Sequence, residues 1–308
     1  MKYLKLLIVL ICLFVFSCKT DKKETNTIAT ETVSEDVSSE NKTDTAETEA
    51  VTIEAPKKDD RLEKKPEAII KKVATPKTTK SAVTINPIFH GSLVLEYKNV
   101  VLYIDPVGGA KAFKGQKPPT LILITDIHGD HLDIETLEAI ATKGSKIIAP
   151  VAVADKLPTG LRSKTSVLSN FLSKNYTIGS ANLTIEAIPM YNLRKEAMNF
   201  HPKNRGNGYV LTLGKERVYI SGDTEDIPEM RQLKDIDIAF VCMNLPYTMT
   251  IESAADAVLD FKPKKVYPYH YKGTNGFSDV KKFKSIVNEG NRAIEVIQDD
   301  WYKKSDEV

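Results

Sequence analysis

The chain has 308 residues and a formal net charge of +2, and 42% of its residues are hydrophobic. This composition excludes a collagen-like chain, a disulfide scaffold and a multi-pass membrane protein. A chain so close to neutrality has no basic footprint for nucleic acid, so we expect no nucleic-acid partner.

The first residues have the pattern of an export signal. Lys2 and Lys5 precede an apolar run over 6–16, which is too short for a permanent membrane span but suits a signal-peptide core. The run ends in a sequence that resembles a bacterial lipobox. We therefore predict a lipoprotein signal peptide over 1–18, with Cys18 as the lipidated anchor in the bacterial cell envelope, facing the periplasm or the cell surface. Simple secretion or an uncleaved anchor are the alternatives.

The segment 19–83 differs in composition from the rest of the chain. It contains 13 Lys/Arg and 14 Asp/Glu and no glycine, histidine or aromatic residue. Such a segment cannot bury enough apolar surface to offset its ordering entropy, so we predict a disordered, charged tether. The residues 84–308 are sufficient for one well-buried domain.

Within this domain, strand and helix patterns alternate. Short apolar, β-branched runs predict strands over 92–97, 100–105, 120–125, 146–149, 182–190, 208–213, 217–220, 238–243 and 265–269. Helical spacing of apolar residues predicts helices over 133–142, 251–261 and 278–288, with Thr250 as the N-cap of the second. The early strands pair as hairpins, and alternation follows and repeats. This order favours two packed sheets with helices outside.

Histidine and aspartate residues follow several of these strands. His128, Asp130 and His131 come directly after the strand over 120–125, while Asp223 and His270 each follow a later strand. Imidazole nitrogens and carboxylates are the ligands that borderline divalent cations prefer, and strand ends are where α/β folds bring ligands together. Either Asp223 or His270 alone would indicate only a hydrogen-bonding residue, but the whole group predicts a shared metal site.

The run from 126 to 131, Asp-x-His-x-Asp-His, resembles the metal-binding motif of the metallo-β-lactamase superfamily, usually written H-x-H-x-D-H. Gly222-Asp223-Thr224 and the later His270 match further signatures of that family, and His90-Gly91-Ser92 is similar to the branch of L-ascorbate-6-phosphate lactonase-like hydrolases. The resemblance implies an α/β fold, an αββα sandwich over 84–308, with a metal site at one edge between the sheets. It also implies a metal-dependent hydrolase that acts on a small-molecule substrate through metal-activated water.

The resemblance distributes the ligands over two metals. Asp130, His131 and His270 form the set for the second metal, and Asp223 bridges the two. His128 belongs to the first metal, together with the residue at 126.

The mid-chain ligand of the first metal stays open in the sequence. Tyr191 stands where the family has a histidine. His201, ten residues later, is either that ligand or part of a substrate loop.

Position 126 departs from the family pattern because Asp126 replaces a histidine. As a ligand, its carboxylate favours harder cations than zinc, and its extra negative charge raises the pKa of a bridging water. If Asp126 instead turns away to bond its own backbone, one metal remains at the second set. We therefore expect one or two divalent ions per chain, Zn²⁺ or Mn²⁺, with iron as a further option.

Two residues are candidates for catalysis. Asp130 can bind the metal and orient the water, while His90 has three open roles: support of a ligand, proton donation to a leaving group, or structure alone. Asp105 is expected to support the site or shape a turn rather than bind metal. Lys203 and Arg205 either attract an anionic substrate or form a solvated loop.

The leading function is an envelope-anchored, metal-dependent hydrolase of ester-like bonds, in a lactone, a phosphodiester or a similar small anionic compound. The alternative is a metal- or ligand-binding lipoprotein without turnover, with a degraded first metal site. A purely structural envelope protein is disfavoured because it does not require histidine and aspartate at strand ends.

Overall fold

The computed structural model describes residues 81–302. The predicted signal peptide with Cys18 and most of the predicted tether lie outside the described residues. The strands are β1 (Val83–Phe89), β2 (Ser92–Tyr97), β3 (Val100–Ile104), β4 (Leu121–Leu123), β5 (Lys146–Ala149), β6 (Thr165–Val167), β7 (Ser173–Ile178), β8 (Ala181–Met190), β9 (Gly206–Leu213), β10 (Glu216–Ile220), β11 (Ile238–Val241), β12 (Lys265–Pro268), β13 (Lys272–Gly273), β14 (Gly276–Phe277) and β15 (Glu295–Val296). The helices are α1 (Gly109–Ala112), α2 (Ile134–Ile140), α3 (Val151–Ala154), α4 (Thr159–Arg162), α5 (Pro228–Arg231), α6 (Ile251–Phe261) and α7 (Val280–Gly290).

Two large sheets and one small hairpin are formed by the strands of residues 81–302. The first sheet has six strands in the order β1-β2-β3-β4-β5-β6, and the second has seven in the order β15-β12-β11-β10-β9-β8-β7. In the first sheet, β1 to β3 are antiparallel and β3 to β6 are parallel. In the second, β7 to β10 are antiparallel, and β10, β11, β12 and β15 are parallel. The chain therefore uses the same sheet arrangement twice.

The alternation of side chains along β2 shows how the layers are built. Leu93 and Leu95 face the core between the two sheets, where they share one apolar cluster with residues of β9 such as Leu211. Val94, between them, belongs to a second cluster with Leu137 of α2 on the outer face of the first sheet. Successive side chains of a strand point to opposite faces, so β2 is buried on both sides.

Helices α6 and α7 cover the second sheet, and α6 contributes Val258 to the main cluster. The predicted αββα sandwich is confirmed.

Most predicted elements are present with small shifts, and the caps account for the bounds of the two long helices. Helix α6 spans the predicted residues, and the Thr250 side chain accepts a hydrogen bond from the backbone N–H of Ser253. Helix α7 begins two residues later than predicted because Asp279, not an earlier residue, caps its first backbone N–H groups. Strand β1 begins at Val83, which pairs with Tyr97, so the predicted tether over 19–83 extends one residue too far.

The sequence did not predict α1, α3, α4 and α5, which have four residues each, nor the edge strands β1, β6, β7 and β15 and the small hairpin of β13 and β14. A four-residue helix is barely one turn and cannot display a 3.6-residue period. Among residues 81–302, no helix combines the length and the apolar character needed to cross a membrane.

Candidate metal centre

The structure brings every sequence-predicted metal residue to one edge of the sandwich. Their potential ligand atoms fall into three groups, each with its atoms within 4.8 Å of one another: Asp126, His128 and His201; His131, Asp223 and His270; and Asp130 and His270 together with His90. We define the His270 set as Asp130, His131, Asp223 and His270. We define the Asp126 set as Asp126, His128 and His201.

The ligand atoms of the His270 set are spaced as around a single ion. His131 Nε2 lies 3.2 Å from His270 Nε2 and 3.4 Å from Asp223 Oδ2. His270 Nε2 lies 3.5 Å from Asp223 Oδ1 and 3.4 Å from Asp130 Oδ2. Ligand atoms bound tetrahedrally to one zinc ion lie about 3.3–3.6 Å from each other, given bond lengths near 2.0–2.2 Å. These residues therefore fit a divalent cation.

A buried carboxylate fixes the orientation of His131. Asp105 Oδ2 lies 2.9 Å from His131 Nδ1, and the two Asp105 oxygens accept hydrogen bonds from the backbone N–H and the hydroxyl of Thr125. A histidine ligand typically donates its second ring N–H to such a carboxylate, which leaves the other nitrogen for the metal. Asp105 thus has the supporting position that the sequence favoured.

In the Asp126 set, a backbone carbonyl fixes His201 in the same way. His201 Nδ1 lies 3.1 Å from the carbonyl oxygen of Tyr247. Its Nε2 is buried without a hydrogen-bond partner in the described chain and lies 3.3 Å from Asp223 Oδ2. Since Asp223 Oδ2 also faces His131, this carboxylate lies between the two sets. An orphaned imidazole nitrogen beside a carboxylate oxygen fits a cation at this set too.

Asp126 is fully buried and faces this set rather than its own backbone. Its Oδ2 lies 2.9 Å from His128 Nδ1 and 3.9 Å from His201 Nε2. Arg205 donates two hydrogen bonds to Asp126, from Nε to Oδ1 at 3.0 Å and from Nη2 to Oδ2 at 2.7 Å. Arg205 is therefore paired with a buried carboxylate at the site and is not a residue of a solvated loop. Its guanidinium compensates the negative charge of the Asp126 carboxylate, for which the sequence alone indicated no partner.

Lys203 is also engaged elsewhere. Its ammonium group lies 3.5 Å from Glu229 Oε1 and 4.5 Å from the centre of the Tyr191 ring. Tyr191, at the position of the family histidine, bonds Glu229 through its hydroxyl and belongs to the main apolar cluster. The loop after β8 brings His201, not residue 191, to the site, and the backbone N–H of Asn192 donates to the His201 carbonyl at 2.9 Å.

Charge coupling in the His270 set shifts two pKa values in opposite directions. Burial alone would lower the pKa of His131, but the carboxylates of Asp223 and Asp105 outweigh it and hold that pKa well above its ordinary value. Burial alone would raise the pKa of Asp223, but His270 and His131 hold it well below the ordinary value. Without metal, these carboxylates therefore favour a proton on the His131 imidazole, and metal binding must release it.

The turns that carry the ligands have uncommon backbone conformations. His90, Asp105 and His270 have positive φ angles of 55°, 43° and 47°. Such conformations are rare outside glycine and cost energy that the surrounding structure must repay. Gly91 is required for another reason: a Cβ atom there would lie 2.9 Å from Cδ2 of His270. Any side chain at position 91 would therefore crowd the His270 imidazole.

His90 contacts the His270 set without being enclosed by it. Its Nε2 lies 3.3 Å from Asp130 Oδ2, its ring centre lies 3.8 Å from that of His270, and its Nδ1 lies 2.7 Å from the hydroxyl of Tyr302. Burial lowers the pKa of His90, although its contact with Asp130 opposes this shift. This position is compatible with support of Asp130 and with proton transfer at the site.

A cavity of about 310 Å³ opens onto both sets. Its lining consists of residues from the motif loop, the loop after β8 and the ends of β10 and β11: His128, Asp130, Phe200, His201, Asp223, Asn244 and Tyr247. The volume lies at the lower end of the range for small-molecule sites, about 300–1,000 Å³.

Asn244 is a lining residue that the sequence analysis missed. Its backbone N–H donates to Thr248 Oγ1 at 3.0 Å, and the Thr248 hydroxyl donates to Asn244 Oδ1. As far as the described residues go, these bonds leave the Nδ2 group of Asn244 for a ligand. The signal available in the sequence was its place directly after a predicted strand.

Comparisons with known proteins agree with this site. A family profile described as the beta-lactamase superfamily domain matches residues 100–271. A UPF0173 metal-dependent hydrolase of Pyrobaculum islandicum is 30% identical over 219 residues, which cover 66% of this chain and 91% of the relative. A relative of the same name in Thermococcus onnurineus is 28% identical over 197 residues, which cover 61% of this chain and 85% of the relative.

Two solved structures are also similar. A protein described as a metal-dependent hydrolase from Parabacteroides distasonis is 41% identical, with a TM-score of 0.61 over 70% of this chain and 92% of that one. The metallo hydrolase Igni18 of Ignicoccus hospitalis is 20% identical, with a TM-score of 0.57 over 71% of this chain and 95% of that one, and its likeness shows the fold alone. Because the family profile spans more than half of the chain and the strand-end ligands match the motif, this protein belongs to the metallo-β-lactamase superfamily as a metal-dependent hydrolase.

Proposed function

We propose that the enzyme hydrolyses ester-like bonds of small anionic compounds, such as a lactone or a phosphodiester. The observation that carries this proposal is the cavity, in which Asp130 and Asp223 of the His270 set and the neighbouring Asn244 line the same small space. The volume favours a small molecule over a polymer. Family membership favours this hydrolase over a metal-binding lipoprotein without turnover.

The residues of the chain divide the chemistry between them. A divalent cation held by the His270 set would lower the pKa of bound water to about 7 and would polarise a substrate oxygen. Asp130, which has 43% of its side chain exposed and lines the cavity, accepts a hydrogen bond from the attacking water and orients it. Asn244 Nδ2 donates a hydrogen bond to the carbonyl or phosphoryl oxygen on which negative charge develops. His90, beside Asp130, is placed to move the proton.

A substrate panel tests the reaction class. The panel contains lactones, phosphodiesters, phosphomonoesters, simple esters and a β-lactam, each with the chelated and the zinc- or manganese-loaded protein. We expect turnover of a lactone or a phosphodiester that chelation abolishes and metal restores. Absence of metal-dependent turnover on the lactones and phosphodiesters would contradict the proposed substrate class.

Asn244 gives a sharper test of the same proposal. In Asn244→Ala, kcat on the best substrate should fall by about 10²–10³-fold, as for loss of one oxyanion donor, while metal content stays unchanged. Thr248→Val is the matched control, because it breaks the same Asn244–Thr248 hydrogen bonds without removing Nδ2. Equal losses in both variants would show that Asn244 acts through the loop and not on the substrate.

We further propose that the enzyme is anchored in the bacterial envelope through lipid on Cys18. The support is the lipobox-like end of the signal sequence. The similarity of His90-Gly91-Ser92 to L-ascorbate-6-phosphate lactonase-like hydrolases supports the lactone as the first substrate to assay. Metabolic fatty-acid labelling should mark the parent chain and not Cys18→Ser, and labelling that persists in the variant would contradict the anchor.

A further inference from the structure

Asp126 and Arg205 form a buried ion pair at the Asp126 set. The Asp126 side chain has no exposed surface, and both of its oxygens accept hydrogen bonds from the guanidinium. Such a two-point contact fixes orientation as well as charge. The Phe200 carbonyl oxygen also accepts a hydrogen bond from Arg205 Nη2, so the guanidinium is held from two sides.

The Asp126–Arg205 pair carries no net charge. A guanidinium remains protonated at any pH at which the protein is folded, so it supplies one full positive charge. Asp126 supplies one negative charge, and the pair is neutral as a unit. The histidine that the family pattern has at position 126 is also neutral when it binds a metal. The Asp126–Arg205 pair therefore replaces a neutral ligand without changing the net charge of the set.

The contact with Arg205 does not use all the lone pairs of the Asp126 carboxylate. Each carboxylate oxygen carries two lone pairs, and Oδ2 uses one to accept from Arg205. The same oxygen lies 2.9 Å from His128 Nδ1 and 3.9 Å from His201 Nε2. His201 Nε2 has no hydrogen-bond partner among residues 81–302. A cation at this set would replace the proton between Asp126 Oδ2 and His128 Nδ1, so these atoms remain able to share it.

We propose that Arg205 is a positioning residue that makes Asp126 act as a neutral substitute for the family histidine, so that the Asp126 set binds a metal ion of its own, beside the one in the His270 set, with a zinc-like preference. This replaces the sequence-based expectation of a harder cation, which assumed an uncompensated carboxylate. The proposal rests on metal binding and not on the ester-like substrate, so a failed substrate panel leaves it intact.

A double-mutant cycle tests the Asp126–Arg205 pair through metal stoichiometry and metal affinity, without a substrate. The parent, Arg205→Met, Asp126→His and the double variant are stripped of metal and titrated separately with zinc and with manganese. The parent should bind two zinc equivalents. Asp126→His should bind the second equivalent at least about tenfold more weakly, because Arg205 loses its partner and repels the ion. The double variant, which carries neither charge, should recover the parent's zinc affinity.

Arg205→Met uncovers the carboxylate. At the second equivalent of this variant, the ratio of zinc affinity to manganese affinity should fall at least about tenfold relative to the parent, because anionic oxygen favours harder ions. If this variant does not fold without metal, Asp126→His and the double variant still decide. Arg217→Met is the matched control, since it removes a guanidinium that pairs with Glu186 between β10 and β8 and contacts neither set, and it should change neither affinity.

Three results would overturn the proposal. The first is a single zinc equivalent in the parent at saturation. The second is Asp126→His that binds both equivalents as tightly as the double variant. The third is Arg205→Met with the metal preference of the parent.

Discussion

His131 and Asp126 are both buried residues on the loop that follows β4, but groups of opposite charge stand behind them. Asp105 places a carboxylate 2.9 Å from His131 Nδ1, whereas Arg205 places a guanidinium 2.7 Å from Asp126 Oδ2. A carboxylate behind an imidazole raises its basicity as a ligand. A cation behind a carboxylate withdraws electron density from it. Asp105 thus strengthens His131 as a metal ligand, whereas Arg205 weakens Asp126 as one.

This difference implies that the His270 set and the Asp126 set bind a metal ion with unequal affinities. The His270 set contains two carboxylates, Asp130 and Asp223, and a histidine whose donor strength is enhanced by Asp105. In the Asp126 set the carboxylate is already neutralised. We therefore expect metal to fill the His270 set first and the Asp126 set second, in two resolvable steps.

The largest effect should come from removing a ligand of the tighter half. His270→Ala should weaken the first metal equivalent by more than about 100-fold, because loss of a mere supporting group already costs 10–100-fold. His128→Ala should remove the second, weaker equivalent and spare the first. Calorimetric titration of both variants checks this. If both variants lose the same equivalent, the two halves are not separate.

The next effect concerns Asp105. Asp105→Asn keeps the shape of the side chain but removes the negative charge behind His131, so the first equivalent should weaken by about 10–100-fold while the second stays unchanged. Asp133→Asn is the control: it makes the same exchange at the N-cap of α2, where asparagine caps nearly as well. A parallel loss at both metal equivalents would contradict an effect transmitted through His131 alone.

These two halves also differ in what the sequence could reveal. The His270 set was predictable because its members follow strands, and the carboxyl ends of parallel strands meet at one edge. The role of Asp105 followed from the same position after β3. His201 stayed ambiguous because a loop positions it, through the contact between the Asn192 N–H and the His201 carbonyl. Loop conformation leaves no periodic signal in a sequence.

The contact between Arg205 and Asp126 could not be predicted from any local sequence pattern. It meets Asp126 across 79 residues of chain, and only the folded loop after β8 brings them together. One signal was nevertheless available. A carboxylate directly after a buried strand must be neutralised or paired, because an isolated buried charge is very costly. That requirement predicts a nearby cation, although not which one.

A smaller effect should follow from crowding the His270 half. In Gly91→Ala, the new Cβ would lie 2.9 Å from His270 Cδ2, so the buried ring must shift. We expect a loss of about 1–3 kcal/mol in unfolding free energy, as for overpacking, together with a weaker first metal equivalent. Gly129→Ala lies in the same motif but meets no atom within 4 Å, so it should change neither quantity. Equal losses in the two variants would point to backbone flexibility instead.

The smallest effect concerns His90, which touches the His270 half from outside. The Tyr302 hydroxyl lies 2.7 Å from His90 Nδ1 and is also 3.1 Å from the backbone N–H of Lys272, which donates to it. Tyr302→Phe removes both contacts and keeps the ring packing, so the loss corresponds to two hydrogen bonds, about 1–3 kcal/mol in all. If His90 moves protons, kcat should fall about two- to tenfold while both metal equivalents keep their affinity.

The opposite pattern separates the remaining roles of His90. If His90 mainly supports Asp130, the same variant should weaken the first metal equivalent and leave kcat of the metal-saturated enzyme unchanged, because Asp130 Oδ2 lies 3.3 Å from His90 Nε2. Tyr271→Phe serves as the control, since Tyr271 packs against Tyr302 with ring centres 4.9 Å apart and its ring remains in place. Titration and saturating-metal kinetics on the two variants therefore assign His90 either to proton transfer or to the support of Asp130, and no change in either measurement leaves it a structural residue of the turn after β1.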